Sequence, residues 1–130
     1  MLDHIYEISY IQQMNFDTNS FFSAIANDIR LRCLVLMQLE GELCVCELTH
    51  ALDLSQPMIS RHLALLRETG LVATRRVGQW MYYSIHEDLP LWSKKVIQET
   101  AKANAKASPY KDDLQSLKSM SDRPDASCCA

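Results

Sequence analysis

Apolar side chains recur at helical spacing over most of the first seventy residues. Residues 2–14 carry one at nearly every third position and predict a first helix. A short helical piece, FFSAIAND, follows it. The run DIRLRCLVLMQL then predicts a strong helix that ends at Gly41, because glycine readily adopts the backbone conformations that close a helix.

Two more helices follow, joined by a short turn. ELCVCELTHALDL predicts a helix with Leu48, Ala51 and Leu52 facing inward. The turn predicted over residues 53–57 leads into SQPMISRHLALLRETG, a helix that ends at Gly70. Pro57 fits the first turn of that helix, where a missing N–H leaves no hydrogen bond unmade.

Beyond Gly70 the apolar period changes from about 3.6 residues to about 2. LVATRRVGQWMYYSI therefore predicts two strands around a turn at Val77–Gly78, and the chain returns to helix over residues 89–107. The rest is polar and poorly periodic. The pattern predicts a mainly α fold with a small β-hairpin, residues 1–107 forming one domain and residues 108–130 a flexible tail.

Two short helices around a tight turn, followed by a hairpin, are the outline of a winged helix–turn–helix. In that motif the second helix enters the major groove, where glutamine can bond adenine and arginine can bond guanine or a phosphate. The pattern alone leaves a DNA-binding protein and a generic helical domain with a solvated polar face about equally favoured. The candidate DNA contacts are Ser55, Gln56, Pro57, Ser60, Arg61 and His62 on the second helix, with Arg75 and Arg76 on the hairpin.

Charge and composition narrow the class of protein. The net charge is −3, but residues 55–83 hold four arginines and a single acidic residue, which is a local basic segment. The start of the chain has no basic region followed by a long apolar core, and no apolar run is long enough to span a bilayer. We therefore expect a cytoplasmic protein without a membrane partner. No nucleophile–base pair or phosphate loop suggests an enzyme.

Thiols are the other candidate chemistry. Five cysteines in a cytoplasmic chain favour metal binding or redox work over a disulfide framework. Cys44 and Cys46 are two residues apart, so they could hold one ion only at the opened start of a helix, where we also expect a lowered thiol pKa. Cys33 lies on an apolar helical stripe and is predicted to be a packing residue.

The sequence also resembles a known family. SQPMISRHLALLRETGLVATRRVGQWMYYSI is similar to the recognition helix and wing of the ArsR/SmtB family of bacterial repressors, and ELCVCELTHALDLSQ to the preceding helix of its arsenic-responsive members. The resemblance runs from about residue 28 to residue 92. It implies a homodimer, formed through the segments 2–26 and 89–107, that binds palindromic operator DNA and releases it when a metal or metalloid binds.

The same resemblance points to As(III) or Sb(III) as the effector, held by Cys44 and Cys46, since soft centres favour thiolates. Many arsenic-responsive relatives carry a third cysteine where this chain has Thr49. A small thiol or water could complete the site, or a third thiolate could come from Cys128 or Cys129 of the same or the other subunit. Binding would distort the start of the helix, which packs against the recognition helix.

Two alternatives stay open at this point. A repressor of the same fold could respond to oxidants or reactive sulfur through disulfide formation. Alternatively, the chain could be a small thiol protein that buffers or delivers metal without binding DNA.

Overall fold

The computed structural model describes residues 16–121 and residue 123. The helix predicted over residues 2–14 lies outside them. Within the described residues there are six helices and three short strands. In chain order these are α1 (Thr18–Ile25), α2 (Asp28–Glu40), β1 (Leu43–Cys44), α3 (Val45–Leu52), α4 (Gln56–Glu68), β2 (Val72–Val77), β3 (Trp80–Ile85), α5 (Leu91–Asn104) and α6 (Tyr110–Lys118).

Local signals set the ends of most helices. The Asn27 side chain accepts the Arg30 backbone N–H at 3.0 Å and caps α2, which ends at Gly41 with a φ of 86°. Ser55 caps α4 in the same way, with Pro57 in the first turn. The predictions for these two helices and for the hairpin are therefore confirmed to within a few residues.

The start of α3 differs from the prediction. Residues 43 and 44 form β1, a two-residue strand antiparallel to β3, so the sheet has the order β1–β3–β2. The helix begins only at Val45, and Cys44 is its extended N-cap, with φ −91° and ψ 168°. Pairing with β3 draws this segment out of the helix, and helical periodicity could not reveal a partner forty residues away.

Helix α2 lies at the centre of the core, and its residues 33–37 are each at most 2% exposed. Five consecutive buried residues mean that the helix is covered on all sides. Helices α1, α4, α5 and α6 and the wing strand β3 all contact it. Cys33 is one of these buried residues, as predicted. No helix within residues 16–121 is long and apolar enough to cross a membrane.

The C-terminal segment was predicted to be flexible from residue 108, and there the structure differs. Residues 110–118 form α6, which packs against α3 and α2. Leu117 is fully buried. Burying a leucine side chain stabilises a fold by about 2 kcal/mol. The buried Asp113 carboxylate accepts two hydrogen bonds from Arg32, at 2.7 and 2.9 Å. Leu117 and the half-buried Leu114 are the two leucines that pack against the core, and two apolar positions are too few for a helical period to be recognised.

Candidate nucleic-acid interface and thiol site

Helix α4 divides into a buried face and a solvent face. Ile59, Leu63 and Leu66 are fully buried. The residues predicted to contact DNA lie on the other side, toward the start of the helix. Ser55, Gln56, Pro57 and Arg61 are exposed, and Ser60 and His62 are half-buried. The helix therefore presents a polar, positively charged N-terminal surface of the kind that fits a major groove.

His62 contacts a residue of the central helix α2. Its Nδ1 lies 3.2 Å from a terminal nitrogen of Arg30 on α2, and burial, followed by the charges of Arg30 and Arg61, lowers the pKa of the imidazole. Sequence reasoning missed Arg30, because it is thirty-two positions away along the chain and no local pattern connects the two residues.

The two arginines predicted to contact DNA from the hairpin have different surroundings in the wing. Arg76 pairs in register with Met81 next to the turn and is exposed. Arg75 is one position further from the tip, and its guanidinium donates to both carboxylate oxygens of Glu42, at 2.5 and 2.9 Å. This hydrogen bonding lowers the pKa of Glu42. Arg75 also lies 5.3 Å from the centre of the Tyr82 ring.

Cys44 and Cys46 come together at the junction of β1 and α3. Because Cys44 is an extended N-cap and not a helical residue, the two side chains are not held on opposite sides of a helix. Their Sγ atoms lie 2.8 Å apart. Cys44 is fully buried and Cys46 is half-buried. The junction therefore brings the two sulfurs together without opening a helical turn.

The prediction of a lowered thiol pKa at this position is wrong for Cys44. Burial raises the pKa of its thiol, and the nearby Glu47 carboxylate acts in the same direction. Backbone amides at the start of α3 oppose the increase only in part. A helix N-terminus lowers a thiol pKa only where desolvation does not outweigh it.

Glu47 is the main residue of this site that sequence reasoning missed. It is only 2% exposed, and its two carboxylate oxygens accept from the Cys44 backbone N–H at 2.9 Å and from Arg123 Nε at 2.6 Å. A glutamate three residues after an N-cap is the pattern of a capping box and could have been found. The Arg123 contact, seventy-six positions away, had no such signal.

No third metal-ligating side chain joins Cys44 and Cys46 among the described residues. The Thr49 hydroxyl donates to the Val45 carbonyl oxygen at 2.8 Å and is thus engaged within the helix. Within residues 16–121 and 123, no group of three or more Cys, His, Asp or Glu side chains could hold a metal ion. Cys128 and Cys129, the predicted candidates, lie outside the described residues.

The comparisons with known proteins agree with this architecture. The family model described as "Bacterial regulatory protein, arsR family" matches residues 27–74. The arsenic resistance transcriptional regulator ArsR1 of Pseudomonas putida is 50% identical over 104 residues, covering 79% of each chain.

The arsenical resistance operon repressor of Escherichia coli is also 50% identical, over 60% of this chain and 67% of its own length. Among solved structures, HlyU from Vibrio cholerae superposes with a TM-score of 0.58 at 37% identity, over 66% of this chain and 89% of that one. The fold is a winged helix–turn–helix, and the relatives are transcriptional regulators, not enzymes. This chain belongs to the ArsR family of bacterial regulatory proteins.

Proposed function

We propose that this protein is a metalloid-responsive repressor. As a homodimer it binds operator DNA through the start of α4 and the wing, and it is released when As(III) or Sb(III) binds Cys44 and Cys46. The observation that carries the proposal is the contact of the two sulfurs, 2.8 Å apart, at the junction of β1, which pairs with the wing strand β3, and α3, which packs on α4. Soft thiolate ligands match a soft trivalent centre. Two relatives are named for arsenic or arsenical resistance.

The third ligand is proposed to be Cys128 or Cys129 of the same subunit. The contacts of the C-terminal segment show that it runs antiparallel to α3. Asp113 and the Leu52 carbonyl oxygen share Arg32, Ser116 reaches the His50 carbonyl oxygen, and Arg123 reaches Glu47. The segment therefore advances toward the thiol pair. Five further residues span at most about 17 Å, which is enough to bring Cys128 to the site beside Glu47.

Two routes connect the thiol pair to the DNA-binding surface. The first is the packing of α3 on α4, which lets a shift at the start of α3 move the recognition helix. The second runs through the sheet. Cys44 is the register partner of Tyr82, Tyr82 is the partner of Arg75, and Arg75 is bound to Glu42 beside β1. An ion that draws the sulfurs into its own geometry would thus disturb helix and wing together.

The energetic requirement is reciprocal. The effector must bind the state that does not fit DNA more tightly than the state that does, and operator DNA must weaken effector binding by the same factor. A coupling of about 1–3 kcal/mol is typical of such switches.

An apolar surface on α1 and α5 supports the homodimer. Phe22 is 44% exposed, Trp92 39% and Leu91 68%, and the Phe22 and Trp92 rings stack with their centres 5.9 Å apart. Large exposed apolar side chains in one patch are typical of an interface. A second copy of this chain, related by two-fold symmetry, would cover this patch and present two recognition helices to a palindromic site.

A redox response is the second candidate, and the closeness of the two sulfurs favours it as well. Hydrogen peroxide could oxidise the pair, the two thiols giving up two electrons and two protons to form one disulfide while the peroxide is reduced to two water molecules. The alternative of a thiol protein that does not bind DNA has no support, because the family consists of DNA-binding regulators.

The deciding experiment is fluorescence anisotropy of a labelled duplex from the DNA upstream of the coding sequence. Reduced protein is titrated first, and arsenite is then added. The proposal expects tight binding that arsenite reverses. Binding that ignores arsenite but is lost with peroxide and restored by dithiothreitol would support the redox alternative instead. Failure to bind this duplex or any of a wider pool of duplexes would overturn both.

A further inference from the structure

The guanidinium of Arg30 is fixed in place by three groups. Its Nε donates to the Ala24 carbonyl oxygen at 2.7 Å and its Nη2 to the Ser23 carbonyl oxygen at 3.4 Å, while Nη1 lies 3.2 Å from His62 Nδ1. The two carbonyls belong to the last turn of α1, where helical carbonyls lack intrahelical partners and favour a cation. Arg30 is thus anchored to α1 through two of its nitrogens and contacts the recognition helix α4 through the third.

This contact determines the form of the imidazole. Arginine has only donors, so His62 Nδ1 must be the acceptor in the 3.2 Å contact. A ring that accepts at Nδ1 is neutral and carries its proton on Nε2. The lowered pKa of His62, which arises first from burial and then from the charges of Arg30 and Arg61, acts in the same direction.

We infer that Arg30 is a positioning residue for operator recognition. It holds His62 as the neutral tautomer with a proton on Nε2, so that this position of the recognition helix offers a hydrogen-bond donor to the groove. The inference rests on the proposed role of His62 as a DNA contact.

The tautomer decides what His62 can recognise. A fixed donor selects a base edge with an acceptor, such as O6 or N7 of guanine or O4 of thymine. A protonated ring would instead add a charge that attracts any phosphate and carries no sequence information. Anchoring to α1 also means that the donor is oriented before DNA arrives, which lowers the entropy cost of the contact.

The test uses Arg30→Lys, because lysine keeps the charge but cannot reach α1 and His62 with one planar group. Nitrogen-15 NMR of the imidazole reports the tautomer in the full-length protein. A scan of single base-pair substitutions in the operator, repeated with His62→Ala, identifies the base pair that His62 discriminates. The matched control is Arg67→Lys, which makes the same replacement at an exposed position in the last turn of α4, the helix that carries His62.

We expect the Nε2–H form in the wild type and in Arg67→Lys, and a mixture of tautomers in Arg30→Lys. Discrimination at the identified base pair should fall about three- to tenfold, the size of one hydrogen bond, with little change elsewhere in the site. His62→Gln supplies a donor that needs no tautomer. In that background, Arg30→Lys should have much less effect on discrimination.

Two results would overturn the inference while leaving the repressor proposal intact. One is an unchanged tautomer in Arg30→Lys. The other is a loss of affinity spread evenly over all base pairs, which would indicate a structural role for Arg30. Failure of the wild-type protein to bind any duplex is a different result, because it removes the proposed function and the inference that rests on it.

Discussion

Cys44 and Tyr82 are register partners in the pairing of β1 with β3. Tyr82 is in turn the partner of Arg75 on β2, so the three side chains lie in one row across one face of the sheet. The candidate effector site is thus part of the wing's own sheet, as well as the start of the helix before the recognition helix. The predictions below follow from this arrangement and from the segments that hold it.

Replacing Cys46 with serine should abolish most of the response to arsenite. A hydroxyl is a poor ligand for a soft centre, so the arsenite concentration that releases half of the DNA should rise at least about tenfold, or about 1.4 kcal/mol. Cys46 is half-buried, and operator affinity without arsenite should change little. Anisotropy titrations measure both quantities. Cys33→Ala, which removes a thiol outside the site, is the control and should leave the arsenite midpoint unchanged. An unchanged arsenite midpoint in Cys46→Ser would exclude Cys46 as a ligand.

Glu42→Gln should weaken the coupling between thiol site and wing without weakening effector binding. The ion pair with Arg75 is largely exposed, and such pairs contribute about 0.2–1 kcal/mol. The factor by which arsenite lowers operator affinity should therefore shrink about two- to fivefold, while arsenite affinity measured without DNA stays the same. Glu40→Gln removes the same charge two residues earlier and should leave the factor unchanged. Equal behaviour of the two variants would argue against the route through the wing.

Mixed dimers should show whether the tail thiols act within one subunit. One chain carries Cys46→Ser, and the other carries Cys128→Ser together with Cys129→Ser. If the tail binds within its own subunit, neither chain of the mixed dimer has a complete site, and arsenite affinity should remain as low as in the parent variants. Tandem affinity tags isolate the mixed dimer for the titration. Recovery of high arsenite affinity in it would show that the tail reaches across to the other subunit.

Asp113→Asn should destabilise the fold. The substitution removes the buried carboxylate partner of the Arg32 guanidinium, whose side chain is only 17% exposed, and leaves only the longer 3.9 Å pair with the exposed Asp28. Breaking a buried ion pair in this way typically costs about 3 kcal/mol or more. Urea unfolding followed by circular dichroism measures the loss. The exposed neighbour Asp112, changed to asparagine, should lose no more than about 0.5 kcal/mol. A similar small loss for Asp113→Asn would mean that the Arg32–Asp113 ion pair contributes little to the fold.

Cys33 should make stability fall at alkaline pH. Burial is the main cause that raises the pKa of its thiol from 9.0 to about 12. Between these values the unfolded chain releases a proton that the folded protein retains, so rising pH favours unfolding. The contribution is full below pH 9 and is lost toward pH 12, with a slope of about 1.4 kcal/mol per pH unit.

Cys33→Ala should lower stability at every pH because it leaves a cavity. Its pH profile between 9 and 12 should nevertheless be shallower than that of the wild type. Urea unfolding at a series of pH values compares the two slopes. Parallel profiles would mean that the Cys33 thiol ionises in the folded protein as easily as in the unfolded chain.

Much of the fold could be predicted because its signals are local. Gly41, Ser55 and Pro57 mark helix ends that the structure confirms, and the change of apolar period at Gly70 marks the wing. The candidate DNA contacts on α4 could also be named, because they lie within one helical turn or two of a recognisable N-cap. Their roles, and those of the cysteines, remain predictions.

The sequence by itself determined the order of the elements, the family and the presence of two neighbouring thiols, since each depends on residues close together in the chain. Only the tertiary structure decided that Cys44 leaves the helix to pair with β3, that Glu47 binds Arg123, and that Arg30 holds His62. These contacts join residues thirty or more positions apart. Their formation depends on the packing of whole elements, and local spacing carries no record of it.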